Sequence, residues 1–198
     1  MKRYRSLKRT VAPTVEPITL AEAKAWLRVD EHEVGEDALI TSLVARARAR
    51  FESMTQHSCL QQTFDLYLDV MPTDGAIEIP KAPLVSVTSI KGFSSTESTD
   101  TGGTAMTTSD FYVDTATEFG RVLPVSGATY PTATREINGA IVRFVAGYST
   151  STTGVPDGVK AEIKGLVALL YEHRGDEPEQ QRALQSYDGG EFALPTWG

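Results

Sequence analysis

The sequence holds a single cysteine, three histidines and two tryptophans in 198 residues, and each shortage excludes something. Cys59 alone allows no intrachain disulfide and no thiolate metal cluster within one chain, so stability must come from packing and a reducing compartment suits it. The longest unbroken apolar run is Leu166 to Tyr171, far short of the ~20 residues a helix needs to cross a bilayer. An export signal is not expected, because Lys8, Arg9 and Thr10 stand where an apolar stretch of ~7–15 residues would begin. The histidines, His32, His57 and His173, show no metal-ligand spacing with another His, Cys or carboxylate. His32 and His57 read as solvated loop residues, and His173 as a helix-terminal residue favoured by the dipole. Gly102-Gly103 has neither the preceding buried strand nor the following Lys-Ser/Thr of a phosphate loop. No catalytic residue, metal ligand or cofactor emerges, and an enzyme is not expected.

What is present is an ordinary globular composition with an uneven charge. Hydrophobic residues make up 40% and charged residues 23%, which rules out wholesale disorder, a collagen-like repeat and a coiled-coil rod. The net charge is −7, yet the first ten residues hold five cations, Lys2, Arg3, Arg5, Lys8 and Arg9, and no anion. Residues 11–198 therefore hold 14 cations and 26 anions, a net −12. Five positive charges on one short arm suit phosphates of nucleic acid or an acidic protein surface. Sequence-specific DNA binding is disfavoured, because the acidic body repels phosphate and no helix clusters Arg, Lys and Asn.

Periodicity divides the chain. Thr19 and Glu22 form a capping-box pair, so a short helix begins there and runs to about Arg28. A second helix spans about Glu36 to Thr55, with Leu39, Leu43, Ala47, Phe51 and Met54 on one stripe. From Gln61 the period becomes two: Phe64, Leu66 and Leu68 alternate with Asp65, Tyr67 and Asp69, whose carboxylates read as solvated. Pro72-Thr73-Asp74-Gly75 predicts a turn back into a partner strand at Ala76 to Ile79. Further strands are expected at Leu84–Phe93, Phe111–Asp114, Gly120–Val125 and Ala140–Gly147. Ser94 to Thr108 reads as a solvated hairpin loop. Val155-Pro156-Asp157 opens a third helix whose stripe is Val159, Ile163, Leu166, Val167 and Leu170.

The expected fold class is α+β: a small bundle of three main helices with an inserted antiparallel domain, sandwich-like or barrel-like, and extended arms at both ends. In residues, this is a basic arm at 1–16, a helical core at 17–60 and 155–175, an inserted β domain at 61–149, and a C-terminal docking tail at 176–198. Tyr187, Phe192 and Trp197 are spaced along that tail as candidate anchors in pockets of another chain, since Tyr and Trp carry much of the energy at interface hot spots.

Four motifs in consistent order carry a resemblance. They are Ile18-Thr19-Leu20-Ala21-Glu22-Ala23-Lys24 with Leu27-Arg28-Val29-Asp30 and Asp37-Ala38-Leu39-Ile40; Ile79-Pro80-Lys81-Ala82-Pro83-Leu84-Val85-Ser86-Val87-Thr88-Ser89-Ile90; Val142-Arg143-Phe144-Val145-Ala146-Gly147-Tyr148; and Val155-Pro156 with Tyr171-Glu172-His173-Arg174. Over roughly residues 17 to 174 the chain resembles the head–tail connector (adaptor) proteins of tailed bacteriophages and gene transfer agents. The resemblance implies a structural, non-catalytic virion protein, assembled in the host cytoplasm. It implies a ring, generally of twelve copies, that binds the portal, leads on to a stopper or tail-completion protein and passes double-stranded DNA non-specifically, with no membrane partner. On that reading Tyr187, Phe192 and Trp197 reach the portal, and Lys2, Arg3, Arg5, Lys8 and Arg9 contact an acidic neighbour or DNA. The competing expectation, from the many short strands and polar loops, is a β-sandwich virion module that binds carbohydrate or a receptor.

Overall fold

The capping box forms as its spacing predicts. Thr19 Oγ1 accepts from the Glu22 amide at 3.1 Å and Glu22 Oε2 accepts from the Thr19 amide at 2.7 Å, starting α1 (Leu20–Leu27). Arg28 ends it in the left-handed region at φ 59°. In this computed structural model the described residues are 4–187. After α1 come α2 (Asp37–Thr55), α3 (Asp157–Glu172) and α4 (Glu177–Ser186). The strands are β1 (Tyr4–Val11), β2 (Gln62–Leu68), β3 (Ile77–Glu78), β4 (Leu84–Gly92), β5 (Thr104–Ala105), β6 (Phe111–Asp114), β7 (Arg121–Pro124) and β8 (Ala140–Ala146). The protein is thus mixed α+β.

The chain divides into two units, one taking the chain up to Ala12 and Gln61–Gly147, the other Pro13–Leu60 and the chain from Tyr148. In the second, one core joins Ile40, Leu43, Val44, Ala47 and Phe51 of α2 to Val159, Ile163, Leu166, Val167 and Leu170 of α3, with Ile18, Ala23, Cys59 and Leu60. The α3 stripe is the one its periodicity predicts. On α2 the stripe enters through Ile40, while Leu39 faces outward: one turn from the helix end, the buried face has shifted by one residue. The fourth helix goes unread in the sequence because its apolar content is low. Its start signals are nonetheless ordinary, with Asp176 capping the Glu179 amide at 3.2 Å and Pro178 in the first turn.

In the first unit a five-stranded sheet has the order β1-β2-β8-β4-β5 and a three-stranded sheet the order β3-β7-β6, with every pair antiparallel. Among the described residues neither sheet closes, so the barrel-like alternative is not formed. Phe64, Leu66 and Leu68 lie opposite Phe144, Val142 and Ala140, and they share one core with Ile77, Ile79, Leu84, Ile90, Phe111 and Val122. Phe64 and Phe144 stack at 5.5 Å.

Two expectations need correction here. The stretch 76–79 does not return along β2. Both edges of β2 are taken, by β1 and β8, and Ile77–Glu78 pairs with β7 instead. The basic N-terminal segment is no free thread over Tyr4–Val11, which forms β1 against β2, with Leu7 packed on the core. With Leu7 set among charged neighbours, there was no period-two apolar pattern to see.

Candidate functional site

The search for chemistry ends in groups that are structurally engaged. His57 is buried, not solvated as its loop position suggested. Its amide donates to Thr55 Oγ1 at 3.1 Å, Nδ1 lies 3.0 Å from the Thr55 carbonyl, and its ring stacks on Tyr148 at 6.2 Å. Cys59 is fully buried, and burial, reinforced by the negative Glu52, pushes its thiol well above the usual range, so it is held as an unreactive thiol. Arg48 donates to Glu16 at 2.7 Å and lies 3.3 Å from Glu52, while Glu52 Oε1 accepts from the Cys59 amide at 3.0 Å. These charges tie together the chain on either side of α2. His32 is exposed, 3.4 Å from Glu31, and His173 caps α3. Among the described residues no group of three or more His, Cys, Asp and Glu is placed to hold a metal ion, and no helix is long and apolar enough to cross a membrane.

The outer face of the five-stranded sheet carries a second corrected residue. Asp65 was expected in solvent but is only 4% exposed, because Arg143, across the ladder on β8, lays its guanidinium along the carboxylate with bonds of 2.7 and 2.8 Å. The hydrogen bonds to Asp65, and to a lesser extent its charge, raise the Arg143 pKa further. Ser89, Lys91, Asp100, Thr101 and Ile141 complete a polar depression around this pair. Tyr67 lies beside it, close to Asp65, Asp100 and Arg143.

The segment 94–103, read as a solvated loop, is strapped down at both ends. Glu97 accepts from the Ser94 amide at 2.7 Å and the Gly103 amide at 2.6 Å, and these two bonds hold its carboxyl below the usual range. Gly103 has φ 87°, and a Cβ there would meet the Phe93 ring at 2.7 Å, so the turn requires glycine. Arg135 donates to the carbonyls of Ile137 and Thr99 and to Asp100 at 2.8 Å, with its guanidinium 4.4 Å above Phe93. Neither Arg135 nor Arg143 belongs to a sequence motif that marks such a role; both are single cations on alternating strands or loops.

Interaction surfaces remain. On β1, Lys8 and Arg9 are exposed; Lys8 stands opposite Asp65 and Arg9 donates to Gln62 at 3.1 Å. Arg5 lies in the same strand, and Lys2 and Arg3 fall outside the described residues. Of the three tail aromatics, Tyr187 packs against the helical core and donates to Glu162; Phe192 and Trp197 fall outside the described residues.

A further surface, missed in the sequence, is the corner between α1 and α2. Lys24 is 4% exposed, an unusual state for a lysine. Its ammonium donates to the carbonyls of Glu31 at 3.1 Å and Glu33 at 2.6 Å and pairs with Asp37. One cation so braces α1, the connecting loop and the start of α2. Along the same stretch Trp26 of α1 is 54% and Val34 of the loop 73% exposed, and Leu39 of α2 is partly exposed. At the far side of α2's start, Glu36 accepts from Tyr171 and lies 3.6 Å from Arg174, which gives two residues of the Tyr171-Glu172-His173-Arg174 motif a structural role.

Comparison with known proteins follows from this geometry. No curated protein matches the sequence. Three solved structures share the fold. A chain from the virion of a native gene transfer agent particle is 20% identical at a TM-score of 0.71, covering 91% of this chain and 94% of that one. A chain from the neck of an empty particle computed with C6 symmetry is 21% identical at 0.70, covering 90% and 95%. A third, from the neck of a native particle computed with C12 symmetry, is 20% identical at 0.69, covering 90% and 94%. The sequence itself matches the family described as "Phage gp6-like head-tail connector protein" over residues 17–112, from before α1 through β5 and into β6. Over these residues the chain is similar to the phage gp6-like head–tail connector family.

Proposed function

We propose that the protein is a structural head–tail connector of the virion neck, which forms a ring beneath the portal, extends the DNA channel and links the capsid to the stopper or tail. The observation that carries this reading is the family match over residues 17–112, supported by the shared fold with gene transfer agent neck chains over nine-tenths of the sequence. The neck structures, computed with C6 and C12 symmetry, support a ring of twelve copies here. The three main helices, at 17–60 and 155–175, act as the frame, and the strands of 61–149, joined by β1, form two sheets that pack as a sandwich on their shared core. Catalysis has no part in it: the family is a structural one, and the titratable groups in the interior are engaged in holding the fold.

The charge supports the conduit role. A ring multiplies the negative charge of residues 11–198, and a channel that passes DNA works best when it repels phosphate, since tight contacts act as brakes. The virion module that binds carbohydrate has less in its favour, because neither the family match nor the neck structures point to one.

Portal docking is assigned to Phe192 and Trp197 in the C-terminal tail, with Tyr187 seating the start of that segment on the helical unit. The basic residues Lys2, Arg3, Arg5, Lys8 and Arg9 contact an acidic neighbour or DNA. The test is co-sedimentation with purified portal rings. A chain ending at Tyr187 keeps α4 and is expected to fold but to lose portal binding; full binding by this truncated chain would refute the assignment.

A further inference from the structure

A closed ring of identical chains rests on a heterologous interface, in which each copy offers one surface to the neighbour on one side and a different, complementary surface to the other. Two surfaces of this protein are complementary in that way. The first is β1. Its edge away from β2 pairs with no strand among the described residues. Register shifts at Tyr4/Ser6 and Arg9/Val11, together with exposed Lys8 and Arg9, make that edge a poor template for a further strand. What it presents is side chains: positive charge, and Val11 at 56% exposure.

The second is the α1–α2 corner. Trp26 on α1, Val34 in the connecting loop and Leu39 on α2 are each exposed, and the loop, held by the Lys24 brace, carries Asp30, Glu31 and Glu33. Asp30 and Glu33 each hold one loop amide, those of His32 at 2.9 Å and Gly35 at 2.8 Å, so the acidic rim has a fixed form. An exposed tryptophan on a helix that leads into an acidic loop suits an interface anchor.

We propose that the α1–α2 corner of one copy receives the basic β1 strand of the next copy, with Trp26 and Val34 covered by Val11 and the strand's aliphatic stems, and Glu31 and Glu33 facing Lys8 and Arg9. The choice of a second copy follows from the charge. Outside its first ten residues the chain is strongly acidic, so its own N-terminal segment is the matching basic partner, present at one copy per corner. A phosphate polymer would be repelled by the same corner. The inference rests on the ring reading and adds to it which surfaces close the ring.

The test uses the full chain in two variants: a strand variant, Lys8→Glu with Arg9→Glu, and a corner variant, Glu31→Lys with Glu33→Lys. Circular dichroism establishes that each is folded, and mass photometry and sedimentation read assembly at low and high salt. Each variant alone puts like charges face to face, and its assembly is expected to require at least about tenfold higher concentration. Mixed in equal amounts, the two present only opposite charges around an alternating ring, and assembly is expected to return. Trp26→Ala is expected to weaken wild-type assembly without changing its salt dependence, because the anchor is apolar. Rings that form equally well from either variant alone, or a mixture no better than its components, would overturn the interface while leaving the ring standing. Wild-type protein that stays monomeric throughout would contradict the ring reading itself. Variants that assemble normally but lose binding to duplex DNA would assign β1 to DNA instead.

Discussion

Lys24 shows how one side chain decides local architecture. A buried ammonium is tolerated only where its donors are all satisfied, and here two carbonyls and a carboxylate meet it. Lys24→Met keeps the length and the apolar stem but removes the donors. It is expected to cost about 1.5–3 kcal/mol, read as a lower midpoint in urea unfolding, and to increase amide exchange in residues 30–36; an unchanged loop would show that the brace is redundant. The Thr19–Glu22 cap makes a prediction with a sign. Burial alone would raise the Glu22 carboxyl, but bonds from the Thr19 amide and hydroxyl, and then the Lys160 and Lys164 charges, outweigh it and hold its pKa below the usual range. The folded value therefore lies under the unfolded one, and the stabilisation is complete above the ordinary glutamate range and disappears as pH falls through the folded value. Thr19→Ala is expected to cost about 1 kcal/mol at neutral pH, and calorimetry should show the gap from wild type narrowing in acid. A gap independent of pH would mean that the carboxylate contributes nothing to the cap.

At the scale of elements, the strap over residues 94–103 and the fourth helix carry the predictions. Arg135 alone reaches several carbonyls, Asp100 and the face of Phe93, which a planar fork can do and a lysine cannot. Arg135→Lys is expected to release the segment, read as faster amide exchange and proteolysis at 94–103, with the sheet's exchange unchanged. Ending the chain at Gly175 removes Gln180, which is buried and donates to the Leu170 carbonyl at 3.0 Å, and the Leu184 carbonyl that accepts from Arg50 at 2.8 Å. That cut is expected to lower the thermal midpoint, whereas one after Tyr187 leaves it unchanged.

The same elements mark the limit of reading from sequence. The α1 cap, the α3 stripe and the alternation in β2 were legible because each lies within one segment, where spacing alone sets which side chains share a face. What was not legible depends on partners far along the chain. β3 pairs with β7 because β2 has no edge left; Asp65 is buried because Arg143 lies 78 residues away across a ladder; β1 joins the sheet on the strength of Leu7. Lys24 looked like one more surface charge until the fold brought two carbonyls to it.

At the scale of the molecule, the charge division acquires a place in the fold. The basic residues from Arg5 to Arg9 sit on an edge strand, and the acidic α1–α2 loop lies in the chain between α1, with exposed Trp26, and exposed Val34. A ring connector uses both: opposite surfaces to close on its neighbours, and a negative body to let DNA pass. Electron microscopy of this protein bound to its portal tests that account most directly. The account predicts a ring of twelve copies coaxial with the portal and open along its axis; single copies scattered on the portal, or a closed axis, would contradict it.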